Sequence, residues 1–347
     1  MAITRSFGAN GQFELTDWTE EINIIPNSWG TIEALGIFQD ESVAEHTVTF
    51  EKITKDGALI VDRVRGDRHN VSKDYAREVH AFAVPHFPLS DYISPNDIQG
   101  KRAYGNPNEA ESLAAVRMRK MERIMRDHAW TLEAARAQAL TLGTVYAPNG
   151  TVSQNWFTEF GKTQTTINFQ FSSSTADVLG GVESVIAAIQ DNGGMVTLSG
   201  VAFLCSPTWF ASLISHAQIK TAYQYYTSTG QAQPLRERLA STAAASNTLA
   251  GHRTFEYGGA VFIEMRDAYN GVPLIPVDTA VAVPLGTDYF RTYFSPANRF
   301  FTVNTLGEKR YMFETPSLDG TEIKIDTESN FVNALLRPEL IVKITRS

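Results

Sequence analysis

Between Asn108 and Gly143 the chain keeps a helical rhythm with no proline and no internal glycine. Ala114, Met118, Met121, Met125, His128, Leu132, Ala135, Ala139 and Leu142 recur at alternating steps of four and three, which gathers them on one stripe of an α-helix. Pro107 and Gly143 supply start and stop signals. The pattern predicts a helix over 108–142, on the order of 50 Å long at ~1.5 Å per residue, acting as a strut. Its other faces carry Arg117, Arg119, Lys120, Arg123 and Arg126 against Glu109, Glu111, Glu122, Asp127 and Glu133. A solvated surface with i,i+4 pairs such as Glu122–Arg126 is the first reading; contact with an acidic neighbouring subunit is the second. His128, on the apolar stripe, reads as a hydrogen-bonded core residue.

Elsewhere the periods are short. Residues 1–42 hold Phe7, Phe13, Trp18, Ile24, Ile25, Trp29, Leu35, Ile37 and Phe38, yet Gly8, Gly11, Pro26, Gly30 and Gly36 interrupt them. Such a leader needs a surface to lie on, either its own domain or another subunit. Val48, Phe50 and Ile53 mark a strand, Asp56-Gly57 a turn, and "ALIVDRV" the return strand of a hairpin. "HAFAVPHF" is a further strand, and an isolated two-stranded ribbon is marginal in water. After the long helix, Asn149-Gly150 predicts a hairpin turn, with Trp156, Phe157 and Phe160 as core aromatics. A helix capped near Thr175 or Asp177 follows, with Leu179, Val182, Val185, Ile186 and Ile189 inward, ending at Gly193-Gly194. "VAFLCSPTWFASLISH" reads as a buried strand leading into a helix capped by Ser206 with Pro207 at its first position. Strands separated by glycine and proline corners then lead to a last strand, Leu340 to Ile344. The class is α+β.

Composition narrows the chemistry. Hydrophobic residues at 43% with 20% charged residues suit a folded chain. The net charge of −8 opposes general nucleic-acid binding. One cysteine, Cys205, precludes an intrachain disulfide and reads as a buried thiol. The seven histidines form no HxH, HExxH or HxxxH pair. Nucleophile-elbow, phosphate-loop and dinucleotide fingerprints are absent. No apolar run reaches the roughly 18–20 residues of a membrane span, and the first residues lack a secretory pattern. Synthesis is therefore expected in a reduced, intracellular setting, and the chain is expected to have no catalytic, metal-binding or cofactor-binding residues.

What remains is architectural, and here the sequence resembles a family. "LTDWTEEINIIPNSWGTIEALGIF", "VTFEKITKDGALIVDRVRG", "VPHFPLSDYISPNDIQGKRAYG", the helix with its following "TVYAPNGTV", "FEYGGAVFIEMRD", "SPANRFFTVNTLGEKRY" and "RPELIVKI" follow one another as in the lambda-type major capsid proteins of tailed bacteriophages, the major capsid protein E family. "SPANRFFTVNTLG" is the most specific block. Leu142 and Thr141 depart slightly from the Ala-Leu-x-Gly helix end of that family. The resemblance implies the Hong Kong 97-type capsid fold: an N-terminal arm (1–42), an extended β-hairpin loop (43–90), a peripheral domain (91–175) with the spine helix 108–142, an axial domain (176–300), and C-terminal strands returning to the peripheral domain (301–347). It also implies hexamers and pentamers forming an icosahedral shell around double-stranded DNA, without sequence-specific binding and without a membrane. Expected partners are a separate scaffolding protein, a portal and a decoration protein, with assembly in the bacterial host cytoplasm. A related shell that packs protein cargo, as encapsulins do, is the alternative. An acidic wall would let the packaged genome slide. Subunit-interface candidates are Trp18, Trp29, Phe38, Phe50, Asp56, Gly57, Arg63, Arg65, Arg119 and Arg123. Arm and ribbon are expected to find shelter only on other copies of the chain, so a chain lacking residues 1–42 should stay folded yet fail to close shells.

Overall fold

A computed structural model of the chain describes residues 3–7, 13–25, 30–54, 76–99, 112–173, 175–193, 198–227, 252–269 and 271–346. The leader forms β1 (Ile3–Phe7), β2 (Phe13–Asp17), α1 (Thr19–Ile24), α2 (Thr31–Ala34) and β3 (Gln39–Ser42). The ribbon is β4 (Thr47–Thr54) with β5 (Ala76–Ala83), followed by β6 (His86–Ile93) and the long helix α3 (Leu113–Leu142). Next come α4 (Trp156–Glu159), β7 (Thr165–Asn168), α5 (Val178–Gly193), β8 (Gly200–Cys205), α6 (Pro207–Ser215) and α7 (Ala217–Thr227). Strands β9 (Thr254–Tyr257), β10 (Ala260–Glu264), β11 (Ala268–Tyr269), β12 (Val272–Pro273) and β13 (Thr279–Leu285) follow. The last are β14 (Phe290–Phe294), β15 (Tyr311–Pro316), β16 (Ile323–Leu335) and β17 (Val342–Thr345).

Two sheets organise these elements. The first runs β1-β2-β15-β16-β14-β3, and β6 also pairs with β16. At 13 residues β16 is long enough to serve β15 and β6 over its first part and β14 over its second. The second sheet runs β7-β17-β13-β8-β10-β9. The chain crosses from the second sheet to the first between β13 and β14. β7 and β17 both belong to the second sheet.

Helix α3 joins the two halves. Ser112 Oγ accepts the Ala115 amide at 3.1 Å and fixes the start at Leu113, five residues later than the sequence pattern placed it. Gly143 ends the helix at φ 65°, and a side chain there would collide with the Phe157 ring. The predicted stripe holds from Met121 to Ala139 and fails at its ends, where Ala114, Met118 and Leu142 are exposed. A strict 3.5-residue repeat drifts by ~20° per heptad on a 3.6-residue helix. Val116, Ile124 and Leu140 take the vacated inward positions. The first turns pack with Ile22 of α1 and with Ile93, Met312 and Ile325 on the first sheet. The last turns, with Ala137, Ala139 and Leu140, enter the core shared with the second sheet.

His128 is buried as expected, with Nε2 2.9 Å from the Thr327 hydroxyl. Burial, followed by the positive charge of Arg310, lowers its pKa from 6.5 to about 4. A neutral ring in the folded state and a charged one in the unfolded state make this stability present above pH 6.5 and lost as pH falls toward 4. Relative to His128→Gln, the native chain should lose about 2 kcal/mol more stability between pH 7 and pH 5. Urea titrations at the two values measure this, and parallel losses would contradict it.

The leader and the ribbon base correct the expectation that only other copies shelter them. Ile22, Ile32, Ile37 and Phe38 are buried in the chain's own core. β3 pairs in parallel with β14, and β2 pairs with β15. Val48 and Phe82 turn one face of the ribbon inward, while Val79 faces out. Phe50 meets Phe82 at a tilt and Tyr293 edge-on, and Phe82 meets Trp156 at 4.7 Å. Residues 47–54 pair antiparallel with 76–83. The predicted Asp56-Gly57 turn and "ALIVDRV" strand lie outside the described residues. "HAFAVPHF" divides at Val84-Pro85 into the end of β5 and the start of β6.

Around Asn149-Gly150 the expected hairpin shrinks to one antiparallel bridge, Thr144 with Asn155. Asp177 caps α5 by accepting the Gly180 amide at 3.0 Å. Leu179, placed inward by the pattern, is exposed, and Val178 takes its place. The final strand begins at Val342, after a short 3-10 turn at Pro338–Leu340.

Candidate assembly surface

The informative side chains are apolar groups left outside and charges already committed inside. The predicted candidates divide accordingly. Phe38, 7% exposed, packs on Phe290 beneath the Arg136 guanidinium and has almost no surface left for a neighbour. Phe50 sits at the ribbon base described above. Trp18 is half-buried under the Arg117 guanidinium at 4.7 Å. Arg119 is exposed. Trp29, Asp56, Gly57, Arg63 and Arg65 lie outside the described residues.

Three cations on the basic face of α3 reach carboxylates on other elements of the chain. Arg117 Nε and Nη2 donate to the two Glu314 carboxylate oxygens at 2.6 and 2.8 Å. Lys120 and Arg123 share Asp91, at 3.0 and 2.8 Å. These cations bolt the helix to β15 and β6. Paired forks of this kind fix orientation more than they add stability. Arg123 keeps its outer side exposed.

Sequence reasoning missed the loop between β14 and β15. The Asn330 side chain donates to the Pro296 carbonyl at 3.0 Å, and Glu328 accepts the Asn298 amide at 2.9 Å. Thr302 and Thr305 hydroxyls donate to the carbonyls of Ala297 and Thr302. The Gly307 amide reaches Val43 O at 3.0 Å. Arg299 pairs with Asp326 and stacks over Phe313, and Phe301 meets the same ring edge-on. A loop tied down this thoroughly nevertheless presents Phe300 at 94% exposure, with Val303 and Leu306 also outside. Beside it lies a hollow of about 420 Å³ between Ala44, His46, Phe300 and Val303. The one available signal was adjacency: two phenylalanines in a row cannot both face the same core.

Among the described residues no group of three or more His, Cys, Asp and Glu side chains could hold a metal ion. None of the described helices is long and apolar enough to cross a membrane. Cys205 is buried, and burial pushes its thiol pKa well up, away from the reactive thiolate.

The family model for phage major capsid protein E matches residues 14–346. The chain belongs to that family. The major capsid protein of Pseudomonas phage KPP10 is 44% identical over 346 residues, covering 95% of this chain and 96% of that one. The major capsid protein of Salmonella phage Felix O1 is 26% identical over 361 residues, covering 96% of both. In fold, the chain is similar to the crystal structure of a putative capsid protein from a prophage of E. coli CFT073, with a TM-score of 0.61, 12% identity and full coverage of both chains. The architecture is the α+β Hong Kong 97-type capsid fold, as the sequence blocks implied. This major capsid family is structural, and the protein is a virion component.

Proposed function

We propose that copies of this chain close as hexamers and pentamers into an icosahedral shell that encloses double-stranded DNA, with no catalytic role. Assembly proceeds in the host cytoplasm with a scaffolding protein, a portal and, at the outer surface, a decoration protein. The leader is the arm, 43–90 the extended loop, α3 the spine, and the second sheet forms the body of the axial domain. Trp18, Trp29, Phe50, Asp56, Gly57, Arg63, Arg65, Arg119 and Arg123 remain candidates for contact between copies.

The observation that carries this reading is the fixed loop with its outward Phe300. An exposed phenylalanine on a mobile loop would lose entropy on docking, whereas one held by hydrogen bonds is already organised to bind. Aromatic groups at the centre of an interface carry much of its energy.

The test is Phe300→Asp combined with Val303→Asp in the full-length chain. Both side chains are exposed, so the thermal midpoint should stay within a few degrees. Expression with scaffold should then yield subunits or open fragments instead of closed particles by sedimentation and electron microscopy. Closed shells of normal size would remove this loop from the contact. Protein cargo, instead of DNA, inside native particles would favour the encapsulin-like alternative.

A further inference from the structure

The loop that carries Phe300 leaves β14 at Phe294 and returns to β15 at Tyr311, and the end of the leader lies across both of its feet. The Val43 amide donates to the Phe294 carbonyl at 2.8 Å, and the Val43 carbonyl accepts the Gly307 amide at 3.0 Å. One residue thus spans the gap with both of its backbone polar groups. The feet themselves touch at Gly307, where a Cβ would collide with the Phe294 and Ser295 backbone, so only glycine lets the chain close this far. Strand β16 anchors the loop further out: the Ser295 amide donates to the Asn330 carbonyl at 2.9 Å, and the Ser329 hydroxyl to the Lys309 carbonyl at 2.7 Å. Between these anchors, Gly307 is held by Val43.

The charges around Val43 repeat this arrangement. Lys309, just past the second foot, pairs with Asp40 and, at 3.6 Å, with Glu33. Asp40 also accepts Arg136 at 2.6 Å, and Glu41 pairs with Arg291 on β14 at 2.8 Å. Further back in the leader, the Asn23 side chain donates to the Arg310 carbonyl at 3.0 Å. All four residues of β3 are exposed, so this strand is held by its pairing with β14 and by these ions, not by apolar burial of its own. A polar edge strand of this kind opens at a lower free energy than the core beside it. Past Val43, Ala44, Glu45 and His46 line one side of the hollow of about 420 Å³ whose other side carries Phe300 and Val303.

We infer that residues 39–43 are a strap that positions the Phe300 loop, so that a subunit presents this face only while its leader is docked. The inference rests on the reading of that loop as a contact between copies. Opening the strap frees Gly307 from Val43 and the 44–46 wall from the loop in one event. Phe300 then loses the fixed placement that makes it ready to bind. Leader docking and loop order are thereby coupled, and such coupling is reciprocal.

Amide hydrogen exchange in unassembled full-length subunits tests the strap from both ends. Asp40→Asn removes the charge that Arg136 and Lys309 share and leaves every buried apolar side chain in place. Residues 39–43 and 300–306 should both open about threefold more often, the scale of one or two partly exposed ion pairs, while β8 and β13 keep their native rates. Gly307→Ala pushes from the other side by parting the feet, and it should also speed exchange in both segments. If either variant loosens one segment while the other keeps its native exchange, the strap is overturned. Asp40→Asn should also yield fewer closed particles although Phe300 is untouched; a native yield with both segments loosened would overturn the dependence of assembly on the leader. Closed shells from Phe300→Asp with Val303→Asp would instead overturn the contact reading, and with it the strap's part in assembly, while the coupled exchange measured on subunits would stand.

Discussion

A chain that begins at Val43 loses its cooperative unfolding transition. Deletion of 1–42 removes Ile22, Ile32, Ile37 and Phe38, all buried against the chain's own body. At ~1.5–3 kcal/mol for each such side chain, the loss is on the order of 6–12 kcal/mol. The net stability of a typical domain is about 5–15 kcal/mol. The deletion also takes away β3 with Glu33 and Asp40, leaving the Arg136 guanidinium with only the Thr292 hydroxyl of its hydrogen-bond partners. Calorimetry should show a broad, low-enthalpy transition. A sharp endotherm near that of the full chain would mean that the arm is dispensable to the fold and acts only between subunits, as the sequence by itself suggested.

Trp209→Ala is expected to cost about 3–5 kcal/mol, read as a shift in the urea midpoint. Trp209 is wholly buried at the start of α6. Its ring meets Phe169 at 5.5 Å, Phe171 at 5.0 Å and Phe262 at 6.1 Å, so one side chain joins α6 to β10 and to the segment after β7. Its Nε1 has no hydrogen-bond partner, so the loss is one of packing and cavity formation. Trp209→Phe should therefore retain most of the stability. Equal losses for Phe and Ala would mean that the indole N–H has a role the geometry does not show.

Part of the fold was written locally. Pro207 opens α6, although the Ser206 side chain makes no capping hydrogen bond; Asp177 caps α5 and Gly143 closes α3, because each of these signals acts on backbone groups within a few residues. The ordered blocks around "SPANRFFTVNTLG" were sufficient to indicate the family. The candidate surface was less legible. Which of Phe300 and Phe301 faces out depends on Phe313 and Asp326, which hold the loop from strands further along the chain.

The sequence by itself determined where helices stop, the family and the absence of recognisable catalytic motifs, since these depend on neighbouring residues or on ordered motifs. Only the tertiary structure decided that β4 pairs with 76–83, that the leader lies on its own body, and that Glu133 and Arg136 are buried. Ile32 and Glu133 are 101 positions apart, and Arg136 and Thr292 are 156 apart. At such separations the free energy of a contact depends on what the whole fold excludes from water, which no local period records.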